Sequence, residues 1–175
     1  MSPVEARRLE HDWFSWPLPD NVKIGVNSWL YSSFAFLHYR SRLPDGVVIG
    51  NNTGVYNGTF FDLGPEGSSK IGNYCTIVGA ILSSNGRITL GDYVFVAHEV
   101  VIACSAFATP QCNETTRSPD IFIGDNVWIG TRSIILGGVS IGEGSVIAAA
   151  SVVDFDVPLH SVVAGNPARV VKTLA

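Results

Sequence analysis

From Ile123 to Val157 large aliphatic residues return at every sixth position: Ile123, Ile129, Ile135, Ile141, Ile147 and Val153. Four residues after each stands a small or β-branched side chain, in order Val127, Ser133, Val139, Ser145, Ser151 and Val157. Gly or Ala directly follows the aliphatic at Gly124, Gly130, Gly142 and Ala148. A helix would space its apolar residues by three and four, and a half-buried strand would alternate them. A beat of six therefore predicts short strands joined by regular turns. One hexad cannot bury its aliphatic alone, so coil must stack on coil, with three hexads closing one three-sided coil. Gly, Asn and Asp gather at the predicted corners, as in Gly124-Asp125-Asn126 and Gly142-Glu143-Gly144, where a left-handed backbone or close approach is needed.

The beat extends into the earlier chain. It runs through Ile24, Leu30 and Phe36, resumes at Ile49, Val55 and Phe61, and changes phase at Gly64-Pro65-Glu66-Gly67 before Ile71 and Ile77. A further slip around Ser83-Ser84-Asn85-Gly86 precedes Leu90, Val96 and Ile102. The expectation is about six coils, stacking to roughly 30 Å at the parallel-strand spacing. Between Ala103 and Asp120 the beat disappears, and the polar, proline-punctuated stretch from Thr109 to Pro119 predicts an extruded loop. Loops of that length inside compact repeats are more often functional than idle. Residues 1–20, mixed in charge and carrying Trp13, Phe14 and Trp16, read as a cap on the first coil with a short helix before Pro17. The resulting division is a cap segment 1–20, a coiled body 21–158 with its loop 103–120, and a tail 159–175.

The tail begins Pro158-Leu159-His160 and contains Gly165-Asn166-Pro167-Ala168-Arg169, with Lys172 three residues on. Joined to the hexads, this run resembles the hexapeptide-repeat acyltransferases, among them the maltose- and galactoside-type O-acetyltransferases and bacterial sugar acetyltransferases. The resemblance implies an all-β fold: a left-handed parallel β-helix of hexapeptide repeats with an extruded loop and a short C-terminal tail or helix. The handedness comes from the resemblance, because ordinary crossover rules favour the right-handed sense. Also implied are a homotrimer in which the loop leans over a neighbour's active site, acetyl-CoA or a related acyl-CoA as donor, and no required metal.

Composition narrows the alternatives. With 175 residues, 46% hydrophobic and 15% charged, the chain suits one core-forming domain. The net charge is −4 and the eleven basic residues are scattered, so a nucleic-acid surface has no support. Charges from Glu5 to Asp12 interrupt the N-terminal stretch, which predicts neither a signal peptide nor a membrane span. Cys75, Cys104 and Cys112 are an odd count without metal-ligand spacing, which suits a reducing cytoplasm.

Acyl transfer from a thioester needs a base for the acceptor proton and a donor for the developing oxyanion. Histidine suits the base. Of the four histidines, His11 falls in the cap, His160 in the turn before the tail, and His38 in the first coil. His98, in Val96-Ala97-His98-Glu99-Val100, stands just below the predicted loop, at a hexad slot similar to the catalytic one in some sugar acetyltransferases. Galactoside- and maltose-type chains carry theirs further on, at a slot that falls here on Phe107, which cannot take a proton. Either His98 serves, or the scaffold is kept without catalysis. For the group that orients His98, Glu99 is the first choice, with Asp92 and Asn85 as alternatives.

The resemblance assigns the donor's pantetheine arm to Trp128, Gly130, Thr131, Ala148 and Ala149, and its phosphates to Arg169 and Lys172. The acceptor implied is a sugar hydroxyl in polysaccharide or glycan-precursor synthesis; the alternatives are N-acylation of an amino-sugar nucleotide and a non-catalytic assembly protein. A γ-type carbonic anhydrase would need three histidines about a metal, and only His98 lies in suitable coils. Tyr56, Phe60, Tyr74 and Tyr93 are candidates for stacking on a sugar, or for packing.

Overall fold

The computed structural model describes residues 7–104 and 120–174. The chain winds as six coils around one axis, laying short strands on three faces. The first face holds β1 (Val22–Ile24), β3 (Val47–Ile49), β6 (Ser68–Ile71), β9 (Arg87–Leu90), β12 (Ile121–Ile123) and β15 (Ser140–Ile141). The second holds β2 (Trp29–Leu30), β4 (Gly54–Val55), β7 (Thr76–Ile77), β10 (Phe95–Val96), β13 (Trp128–Ile129) and β16 (Val146–Ile147), and is continued by β18 (Ser161–Gly165) and β19 (Ala168–Thr173). The third holds β5 (Phe60–Leu63), β8 (Ile81–Ser84), β11 (Val101–Ala103), β14 (Ile134–Leu136) and β17 (Val152–Val153). In the first coil a 3₁₀ turn, Ser33–Phe36, replaces the strand on that face. The architecture is a left-handed parallel β-helix.

Register explains the six-residue beat. On the second face Val55, Ile77, Val96, Ile129 and Ile147 pair in one continuous file, and each is at most 1% exposed. Every inward aliphatic thus lies on the one below it, and burying such a side chain contributes about 1.5–3 kcal/mol. The corners between the first and second faces repeat as faithfully. Asn27, Asn52, Tyr74, Tyr93 and Asn126 all take a left-handed backbone there, with φ between 53° and 58°. Beside them runs a polar ladder. Asn51, Asn73, Asp92 and Asp125 each accept, through a side-chain oxygen, the backbone N–H of Val26, Asn51, Asn73 and Asp92 respectively, at 2.7–2.8 Å. Short polar side chains at these positions satisfy corner N–H groups that no strand can reach.

The corner between the second and third faces has one irregular coil. Val55 to Phe61, Val96 to Ile102 and Ile129 to Ile135 are six apart, but Ile77 to Leu82 are five apart, all of them buried. The phase slip expected at Ser83–Gly86 therefore begins earlier, at Gly79, which turns the shortened corner with φ +67°.

Both ends differ from expectation. The C-terminal tail or helix is a hairpin: β18 pairs parallel with β16, and β19 folds back antiparallel on β18, with Val163 and Ala168 fully buried. An open sheet edge above β16 would leave backbone groups unpaired, and the hairpin extends the sheet over it. Residues 7–20 contain no helix. They are tied down instead by Asp12, 9% exposed, whose carboxylate accepts from the Ser32 hydroxyl at 2.7 Å, from the Ser33 backbone N–H at 2.7 Å, and from the Ser33 hydroxyl. Leu18 is buried in the core alongside.

The third face carries an outward file of its own: Phe60, Ile81, Val101, Ile134 and Val152 stand side by side in register, without one polar member. The matching first-face file, Lys23, Val48, Lys70, Thr89, Phe122 and Ser140, is mixed. Most of the expected extruded loop, including Phe107 and Cys112, lies outside the described residues. No described helix is long and apolar enough to cross a membrane.

Candidate active site

One corner slot organises the chemistry. Two residues past the inward aliphatic of each second-face strand come Ser32, Asn57, Gly79, His98, Thr131 and Ala149, from the first coil to the sixth. His98 is exposed at this corner, and Glu99 follows it with φ +56°. Glu99 and Arg132 occupy the next slot in successive coils, and Arg132 Nε donates to Glu99 Oε2 at 2.5 Å. The Arg132 guanidinium holds the Glu99 carboxyl below the usual range, and the charge of nearby His98 adds to this. Glu99's first partner is therefore Arg132, and among the described residues neither ring nitrogen of His98 is hydrogen-bonded. Asp92 and Asn85 are engaged elsewhere: Asp92 belongs to the polar ladder on the opposite edge of the second face, and Asn85 accepts the Glu66 N–H at 3.1 Å.

His98 opens onto a groove of about 450 Å³ that runs up the second face past Phe95 and Trp128 to Ala148 and Ala149. Phe95 and Trp128 meet edge to face, ring centres 5.7 Å apart, and Trp128 is 56% exposed. Gly130 lines the floor, and a Cβ there would stand 2.6 Å from the Ala149 nitrogen. Its glycine is thus demanded by the backbone of the coil above. Thr131 and Ala149 have backbone N–H groups without an acceptor among the described residues, because their corner turns away from the ladder bonds that hold Gly130 and Ala148. Such N–H groups seek a partner. An apolar aromatic wall with a few free donors suits a long, amide-bearing chain.

The fold puts six of the sequence candidates around this groove: His98, Trp128, Gly130, Thr131, Ala148 and Ala149. Glu99 lies at its rim. Arg169 and Lys172 are exposed on β19, the outermost strand of the same face, and Arg169 Nη1 donates to the Ala168 carbonyl at 2.5 Å. The other histidines are dispersed: His11 stacks on Trp29 at 4.0 Å, His38 borders Arg40 and Asp62, and His160 turns the corner before β18. Tyr74 and Tyr93 stack on each other at 4.9 Å on the far edge of the face. Arg132 escaped the sequence reading, although it sits one coil beyond Glu99 in the same slot.

This is a hexapeptide-repeat β-helix of the kind found in acetyltransferases. Residues 120–154 match the family model described as bacterial transferase hexapeptide (six repeats). The galactoside O-acetyltransferase of Escherichia coli is 32% identical over 134 residues, covering 73% of this chain and 64% of that protein. Serine acetyltransferase 2 of Arabidopsis thaliana is 32% identical over 139 residues, covering 79% and 32% respectively. The chain thus spans less than two thirds of either relative. Among solved structures, a hexapeptide-repeat acetyltransferase of Vibrio cholerae complexed with acetyl coenzyme A is similar with a TM-score of 0.60 and 28% identity, covering 82% of this chain and 76% of that one.

Proposed function

We propose that the protein is an acetyltransferase that moves an acetyl group from acetyl-CoA to a hydroxyl of a sugar or glycan precursor, with His98 as general base. The observation that carries this reading is the shared corner: the imidazole of His98 stands at the lower end of a groove that offers the Trp128 ring and the free N–H groups of Thr131 and Ala149. Similarity to an O-acetyltransferase and to an acetyl-CoA-bound structure supports the donor and the acceptor class.

In this reading, His98 takes the proton of the acceptor hydroxyl as its oxygen attacks the thioester carbonyl. The new C–O bond forms, the C–S bond breaks, and the imidazolium returns its proton to the leaving sulfur. Glu99, kept ionised by Arg132, supplies the carboxylate that stands beside His98 at the rim of the groove. The Trp128 face packs on the donor's arm, Gly130 and Ala148 let it approach, and Arg169 and Lys172 meet phosphate oxygens.

The same reading takes the active form as a homotrimer. The all-apolar outward file of the third face needs a cover, and it adjoins the corner that holds His98. A partner packed there would close the groove. The setting expected is cytoplasmic synthesis of surface polysaccharide or its precursors.

Release of free CoA thiol from acetyl-CoA, measured against a panel of sugars and glycosides, tests the proposal. Acceptor-dependent release that collapses in His98→Ala is the expected result. Release unchanged in His98→Ala removes that residue from the mechanism, and failure to bind acetyl-CoA by calorimetry removes the activity.

A further inference from the structure

The corner that carries His98 is held from coil to coil by one repeated bond. The residue with left-handed backbone donates its N–H to the carbonyl of the corner residue one coil below: Glu99 to Gly79 at 2.9 Å, Arg132 to His98 at 3.0 Å, and Ala150 to Thr131 at 2.9 Å. One rung is missing. Asn57 stands in the slot of His98 two coils lower, and its carbonyl oxygen accepts no hydrogen bond among the described residues. The cause is the shortened coil between them. In the second coil Asn57 holds the slot and Gly58 the left-handed position, with φ +80°, but in the third coil Gly79 has to serve as both. Its carbonyl takes the Glu99 N–H, while its own N–H makes no bond to Asn57. A carbonyl left in this state seeks a donor.

The nearest candidate donor is the imidazole. A Cβ on Gly79 would stand 3.3 Å from the Asn57 carbonyl oxygen and 4.0 Å from His98 Nδ1, so the two atoms border one small space that no side chain at Gly79 enters. Polar groups at this separation are joined by a single bridging water. The sense of the bridge follows from the chemistry of its ends. A carbonyl only accepts, so the water donates to it and keeps its own oxygen free to accept from the ring. With the ring proton on Nδ1, the chain runs from N–H to water to carbonyl, and each link polarises the next. With the proton on Nε2, the water must donate twice and accept nothing from either end. The hydrogen bond made at one ring nitrogen decides which nitrogen is left to act as base. Glu99 does not fill this role, because its carboxylate is held by Arg132.

We infer that the Asn57 carbonyl, freed by the shortened coil at Gly79, is the positioning group of His98: through one water it holds the proton on Nδ1 and leaves Nε2 as the base. The inference rests on the acetyltransferase reading for what Nε2 does, but the tautomer is a property of the free protein. Selective 15N labelling of histidine reads it on the full chain without substrate, with the His98 signals assigned by their loss in His98→Gln. At a pH where the ring is neutral, wild type carries its proton on Nδ1. A glycine inserted between Val78 and Gly79 restores the six-residue corner, gives the Asn57 carbonyl to the Gly79 N–H, and moves the ring proton to Nε2. Gly79→Ala puts a methyl into the shared space and has the same effect. In both variants kcat for acetyl transfer falls about 10–100-fold, the worth of one hydrogen bond to a charged group, while KM for acetyl-CoA holds. A neutral wild-type ring protonated on Nε2 overturns the assignment without recourse to any variant, and so does a tautomer that both variants leave unchanged. The two ideas fail separately. An Nδ1–H ring in a protein that transfers no acetyl group from acetyl-CoA sinks the acetyltransferase reading alone, and transfer with an unchanged kcat in both variants sinks the role of Asn57 alone.

Discussion

Arg132 reaches back one full coil to donate its Nε proton to the carboxylate of Glu99, directly beside His98. Both side chains are exposed, so the pair adds little to the fold; its effect is on charge. Because the folded value of Glu99 is lowered, the carboxylate persists further into acid than an ordinary glutamate, and any linked stability is present at neutral pH and fades only as pH falls. In Arg132→Ala the Glu99 carboxyl titrates at higher pH, as read by carbon NMR of the side chain. The melting temperature at neutral pH stays where it was.

Replacing His98 by Ala removes the proposed base but touches no core residue. Turnover drops by about 10²–10⁴-fold, the usual worth of a positioned acid–base group. Calorimetry with acetyl-CoA shows the donor still binding, because Trp128 and the Thr131 and Ala149 N–H groups remain.

A carboxylate in the apolar file of the third face tests the assembly. Ile134 sits between Val101 and Val152 in that file. Ile134→Glu buries an unpaired charge in any interface formed there, and sedimentation velocity then reports monomers in place of trimers. The same substitution in an obligate monomer would leave the sedimentation coefficient unchanged.

The N-terminal segment is fastened by an acid whose titration is unusual. Burial pushes the Asp12 carboxyl up, but the hydroxyls of Ser33 and Ser32 and the backbone N–H groups of Ser33 and Phe14 outweigh it and bring it down to about 2. A lowered folded value means that the stabilisation is complete above the ordinary aspartate range near 4 and is lost as pH falls through about 2. Thermal melts from pH 6 to pH 2 show wild type losing stability over that window, while Asp12→Ala starts lower and changes less. At neutral pH the substitution costs about 1–3 kcal/mol, because the serine donors lose their acceptor.

Much of the fold was legible because the repeat is strict where packing is strict. Ile129 must lie on Val96 and under Ile147, so any break in the beat is also a break in the core. The shortened coil at Gly79 was harder to see: Ile77 and Leu82 keep the core filled while one corner residue is missing, and the next turn absorbs the change of phase. The ends were less legible for a related reason. Asp12, Ser32 and Ser33 are ordinary polar residues in sequence, and only tertiary contact makes them a knot. At the site, His98, Trp128 and Ala149 could be grouped by slot counting, since equal slots in successive coils must be neighbours. Arg132 followed the same rule, but an arginine does not announce chemistry until what stands below it is known.

Because every coil advances the chain by one fixed pitch, the corner behaves as a ruler graduated in whole turns. The length of the groove from His98 to Ala149 is set by the number of coils it crosses and by nothing finer. Inserting or excising a complete turn between Thr131 and Ala149 would therefore lengthen or shorten that groove by one graduation, and re-gauge the protein for a longer or shorter chain without redesigning either end.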